Sequence, residues 1–99
     1  GPIVMRDREI LGRDGFVTVQ VLIDRDTGEL SERPEFVSRG FVYLREAADL
    51  VTAAEHVIEE IIATTNGGDL TRAIQDALSR LFYNETKRRP MTFAFVREV

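Results

Sequence analysis

The chain's 99 residues suffice for one domain, and at 43% hydrophobic, 30% charged and 8% aromatic it has the balance of an ordinary globular protein. With no cysteine and one histidine, it excludes disulfides, iron–sulfur clusters, thiolate zinc sites and multi-histidine metal centres. Net charge is −4 and the pI is near 5.0, which argues against binding nucleic acid by bulk charge, although the acidic excess sits mid-chain and the stretch from Thr71 onward is net basic.

Gly1-Pro2 reads as a remnant of tag cleavage, and residues 3–15, which mix charges with Gly12 and Gly15, read as a lead-in segment to a single domain over residues 16–99. From Phe16 to Asp24 the sequence alternates, with Val17, Val19, Val21 and Ile23 on one side, the pattern of a half-buried strand. Asp24-Arg25-Asp26-Thr27-Gly28 is turn chemistry, and a polar connection runs on to Pro34. Phe36 to Leu44 predicts a second strand, antiparallel to the first, in which Gly40 marks a bulge or a close backbone approach.

Two helices follow. From Glu46, the residues Ala47, Leu50, Val51, Ala54, Val57, Ile58 and Ile61 form an amphipathic stripe that Thr64-Thr65-Asn66-Gly67-Gly68 terminates. Asp69 is placed to cap a second helix whose stripe is Leu70, Ala73, Ile74, Ala77, Leu78, Leu81 and Phe82. Pro90 disfavours helix at Arg89, so this helix ends near Thr86 to Arg88, and Met91 to Val99 predicts a third strand. The order β-β-α-α-β specifies an α+β two-layer sandwich, a three-stranded sheet with both helices on one face. Antiparallel helices make the third strand parallel to the first; which of the first two strands it pairs with is left open.

Few residues invite chemistry. His56 has Thr52, Ala53, Glu59 and Glu60 as helical neighbours, off the apolar stripe, so it is expected at the surface, with too few companions for a metal site. Asp24 with Asp26 and Glu59 with Glu60 read as solvated charge, and no catalytic residue is assigned. Gly67-Gly68 precedes a helix start, but Asp69 at the cap would repel a phosphate. Lys87-Arg88-Arg89 is the one basic cluster; it complements a helix C-terminus or contacts phosphates or acidic groups of a partner. Arg39, a charge within the second strand beside Gly40, reaches solvent or a partner and joins the same candidate set. The second and third strands carry apolar groups on both faces, with Phe36 and Val42 opposing Val37, Phe41 and Tyr43, and Phe93 and Phe95 opposing Ala94 and Val96. Some of these must face away from the helices.

Ser38-Arg39-Gly40-Phe41-Val42-Tyr43, Tyr83-Asn84-Glu85-Thr86-Lys87-Arg88-Arg89-Pro90-Met91 and Met5-Arg6-Asp7-Arg8 ahead of Asp14-Gly15 together resemble the C-terminal domain of bacterial ribonuclease J. The resemblance runs from about Ile3 to Arg97-Glu98-Val99 and departs from the family pattern at Thr92-Phe93-Ala94-Phe95, which is more aromatic than the usual aliphatic run. It implies a parent enzyme of the metallo-β-lactamase and β-CASP class, a 5′-to-3′ exonuclease and endonuclease that degrades and processes RNA with two zinc ions. The histidine–aspartate motif that binds them is absent here, so no cofactor is expected in this chain. The implied role is an accessory, non-catalytic domain serving oligomerisation or assembly, or alternatively positioning RNA through Arg39, Lys87, Arg88 and Arg89. The implied partners are the parent's catalytic core, a second copy of the chain and, through the parent, RNA. A cytoplasmic setting without membrane contact is expected, since no apolar run reaches the ~20 residues of a span and no signal peptide opens the chain.

Overall fold

A computed structural model describes residues 12–42, 47–65 and 68–99. The elements are β1 (Phe16–Ile23), β2 (Glu35–Arg39), α1 (Ala48–Thr64), α2 (Leu70–Thr86) and β3 (Met91–Glu98). The order β-β-α-α-β and the α+β architecture are as the periodicities specify. The sheet runs β2-β1-β3, with β2 antiparallel and β3 parallel to the central β1. This answers the pairing left open by the sequence: the last strand joins the first.

Alternation in β1 sets the layers. Val17, Val19, Val21 and Ile23 are buried against Ile58 of α1 and Ile74, Leu78 and Phe82 of α2. Burying a side chain of this size stabilises by about 1.5–3 kcal/mol before entropy is charged. Both helices therefore lie on that face. His56 is exposed on α1. Asp69 caps α2 by accepting the Arg72 N–H at 3.1 Å. At the end of α2, Lys87 takes the left-handed conformation (φ 60°) usual for glycine, and its N–H closes the last turn on Tyr83 O.

The second strand is shorter than the alternation of Phe36 to Leu44 predicts, ending at Arg39; the remainder of that prediction, from Tyr43, lies outside the described residues. Gly40 turns the chain with φ +72° just past the strand. The close approach expected there exists, and its partner is Gly15: a Cβ on Gly15 would stand 2.1 Å from Arg39 O and 2.5 Å from Gly40 C. Phe41 then folds under α2, its ring 5.3 Å from that of Phe82. Likewise, the first helix stops with Thr65 in an extended conformation, and the Asn66-Gly67 part of the predicted terminator lies outside the described residues.

Candidate functional site

The C-terminal end of α2 meets the start of β1 and the turn after β2. Arg88 joins all three. Its guanidinium donates to Phe41 O, to Gly40 O at 2.9 Å and to Arg13 O at 2.9 Å, and its Nε lies 3.6 Å from Asp14 Oδ1. Asp14 is buried, 6% exposed, and its other oxygen accepts the Arg89 N–H at 3.1 Å. That hydrogen bond, with the charges of Arg13 and Arg88, holds the Asp14 carboxyl below its ordinary range against the cost of burial. Five donors in a planar fork suit this clamp, which a lysine could not reproduce.

The other three candidates point elsewhere. The Arg89 guanidinium lies 4.3 Å from the centre of the Tyr83 ring, and Lys87 Nζ lies 5.3 Å from the same ring. Tyr83 is itself exposed. Arg39 donates to Ser38 O at 3.0 Å and shares the open face of the sheet with Phe16 and Met91. The predicted set is thus divided: Arg88 serves internal carbonyls, Lys87 and Arg89 flank an aromatic ring, and Arg39 belongs to a different surface.

That surface is the sheet face opposite the helices. In register, Val37, Thr18 and Phe93 form one row across the three strands, and Glu35, Gln20 and Phe95 the next. Val37, Phe93 and Phe95 are 40%, 38% and 58% exposed. With Leu22 beside them, they make an apolar stretch edged by Glu35, Arg39 and Arg97.

Sequence reasoning missed three groups. Glu55, 8% exposed within α1, takes a two-pronged ion pair from Arg33, Nε to Oε2 and Nη2 to Oε1, both at 2.9 Å. Arg33 lowers the Glu55 carboxyl despite burial, and Glu55 in turn raises Arg33. A glutamate between Ala54 and Ile58 on the buried side was the available signal. Gln75 Oε1 accepts the Ala94 N–H at 3.0 Å, on the edge of β3 away from β1. Asp14, in the lead-in segment, enters the family resemblance beside Gly15, but no local pattern marks it as buried.

Among the described residues no three histidine, cysteine, aspartate or glutamate side chains gather as metal ligands. Among the described residues no helix is long and apolar enough to cross a membrane.

Fold and geometry thus define a small two-layer α+β domain whose distinctive features are two surfaces, one cationic and aromatic, one an open sheet face. Sequence comparison supplies the family. The model of the ribonuclease J C-terminal domain matches residues 3–99. Ribonuclease J2 of Bacillus subtilis is 37% identical over 105 residues, covering 100% of this chain and 19% of that protein. Ribonuclease J 2 of Staphylococcus aureus is 35% identical over the same span, with the same coverage. The chain belongs to the ribonuclease J C-terminal domain family and spans about a fifth of the length of these relatives.

Proposed function

We propose that the chain acts as the non-catalytic accessory domain of an RNA-degrading ribonuclease, and that its work is assembly: the open sheet face packs on the same face of a second copy. The parent's cleavage, 5′-to-3′ and internal, belongs in this reading to a zinc-binding body outside this chain and takes place in the cytoplasm. The observation that carries the reading is the apolar stretch of Val37, Phe93 and Phe95 over two neighbouring rows, left exposed because both helices occupy the other face. A two-fold axis crossing the strands would lay Val37 on its own counterpart and set Arg39 of one copy against Glu35 of the other, since these residues sit either side of Val37 on one face. The self-complementary charge favours a second copy over an unrelated partner. One small face buries near or below the ~1,200 Å² of a stable interface, so the contact is weak in the isolated domain.

Sedimentation equilibrium over a hundredfold concentration range tests this. We expect a monomer–dimer equilibrium that Phe95→Glu shifts to monomer while leaving the circular dichroism spectrum unchanged. A native chain that stays monomeric at the highest concentration, together with an unchanged oligomeric state when the domain is deleted from the parent, would overturn it.

A further inference from the structure

We infer that Tyr83, flanked by Lys87 and Arg89, is a binding site for single-stranded RNA, with the tyrosine ring and the Arg89 guanidinium stacking an unpaired base and the surrounding cations holding its phosphates. The inference rests on the reading of the chain as part of an RNA-degrading enzyme, and it goes beyond assembly, which uses a different face.

Three features separate this cluster from ordinary surface charge. First, its cations are not consumed by the fold. Arg88 spends its donors on carbonyls and Asp14, whereas among the described residues the side chains of Lys87 and Arg89 form no salt bridge and lie over the Tyr83 ring. Second, the arrangement is held in advance. Lys87 turns the chain back through its left-handed conformation, the Arg89 N–H is fixed on Asp14, and Pro90 restricts the residue before it. A ligand therefore meets a guanidinium whose backbone is already ordered, which lowers the entropy lost on binding. Third, the neighbourhood is cationic. Arg80, three residues before Tyr83, shares its side of α2, and Arg13 is exposed beside the clamp. Glu85 is the carboxylate nearest in sequence, but two residues along a helix is roughly 200° around it, on the opposite side. Asp14 is buried and already faces Arg13 and Arg88.

Cations alone would suit any anion. The ring selects a nucleic acid, because stacking on an aromatic plane flanked by arginine accepts any base and gives an acidic protein segment nothing. Few phosphates are engaged, so affinity is modest and sequence preference slight.

Fluorescence anisotropy with a 12-nucleotide single-stranded RNA of mixed sequence, on the 99-residue chain at low salt, is the test. The expected Kd is roughly 10–100 μM, weakening with salt by about 0.7 logarithmic units per phosphate contact for each tenfold rise. Tyr83→Ala should weaken binding about five- to a hundredfold, and Tyr83→Phe should restore most of it. Arg89→Gln with Lys87→Gln should flatten the salt slope by about 1.4. Arg25→Gln, an exposed cation on the turn at the other end of β1, should change nothing. An abasic strand of equal length should bind as weakly to the native chain as the mixed RNA binds to Tyr83→Ala. Equal affinity for the RNA, the abasic strand and a poly-glutamate peptide would overturn the inference, as would indifference to Tyr83→Ala in a variant that keeps its urea midpoint. These readouts are independent of oligomeric state: Phe95→Glu should abolish association and leave RNA affinity intact, so either reading can fail without the other.

Discussion

A single guanidinium carries an unusual share of this molecule's order. Arg88 bridges three carbonyls and a buried carboxylate drawn from segments that local structure does not hold together. Arg88→Ala is expected to cost about 1–2 kcal/mol, seen as a lower urea midpoint, because buried Asp14 and the part-buried Phe41 carbonyl lose a charged donor, while the exposed Gly40 and Arg13 carbonyls turn to water. Arg88→Lys should recover only a minor part, since one ammonium cannot span the same acceptors. Asp14 and Glu55 make stability depend on pH. Both carboxyls are held below their ordinary values, so in acid the unfolded chain takes up protons that the folded chain refuses. Their contribution is present in full above about pH 5 and is lost as the pH falls through the folded values. Arg33→Met removes the partner of Glu55 and leaves a buried carboxylate that burial pushes up. The variant should have a lower urea midpoint than the native chain at pH 7, by a modest amount because Arg33 itself is largely exposed, and the gap should narrow as the pH drops and Glu55 protonates. Urea unfolding at pH 7 and pH 3.5 checks this; a gap of constant size would assign the ion pair no part in the pH dependence.

At the scale of elements, the edge of β3 shows how a short side-chain contact can shield a strand. Gln75, on α2, takes the Ala94 N–H that would otherwise be free on the edge away from β1. Gln75→Leu should speed amide exchange at Ala94 at least tenfold and leave Val19, inside the sheet, unchanged; equal rates at Ala94 in both proteins would show that the edge is protected by something else. The elements with their own periodicity were legible in sequence: β1 from its alternating valines, both helices from their stripes, the start of α2 from Asp69. What sequence did not show depends on distant partners. The shortened β2 follows from the contact between Gly15 and the Arg39-Gly40 backbone, and neither residue signals the other. Pairing of β3 with β1 joins residues 75 positions apart, from Phe16 with Met91 to Ile23 with Glu98, beyond the reach of any local pattern. Lys87 in a glycine-like conformation breaks the usual turn chemistry. The basic cluster was visible as charge, but the separation of Arg88 from its neighbours was not, because its acceptors lie 47, 48 and 75 residues away.

The molecule as a whole has one sheet face committed to its core and one left open. If a second copy recognises only the folded face, association adds to stability by mass action, and the thermal midpoint should climb by roughly 5 °C or more for each hundredfold rise in concentration above the dissociation constant. Scanning calorimetry at several concentrations measures this, and Phe95→Glu should flatten the trend. Loss of the trend in the native chain would separate the open face from self-association. The sheet order has a different consequence, in time rather than space. Phe16 pairs with Met91 and Ile23 with Glu98, so the central strand waits for the last one. At 5–20 residues per second, a ribosome that has finished β1 needs roughly 4–15 s to deliver β3. Throughout that interval Val17, Val19 and Val21 sit on a strand with one side unpaired, and the helices have no finished sheet to cover. A nascent chain is therefore exposed to misassembly during its own synthesis, and a transcript truncated ahead of Met91 would yield both helices with a sheet that can never close.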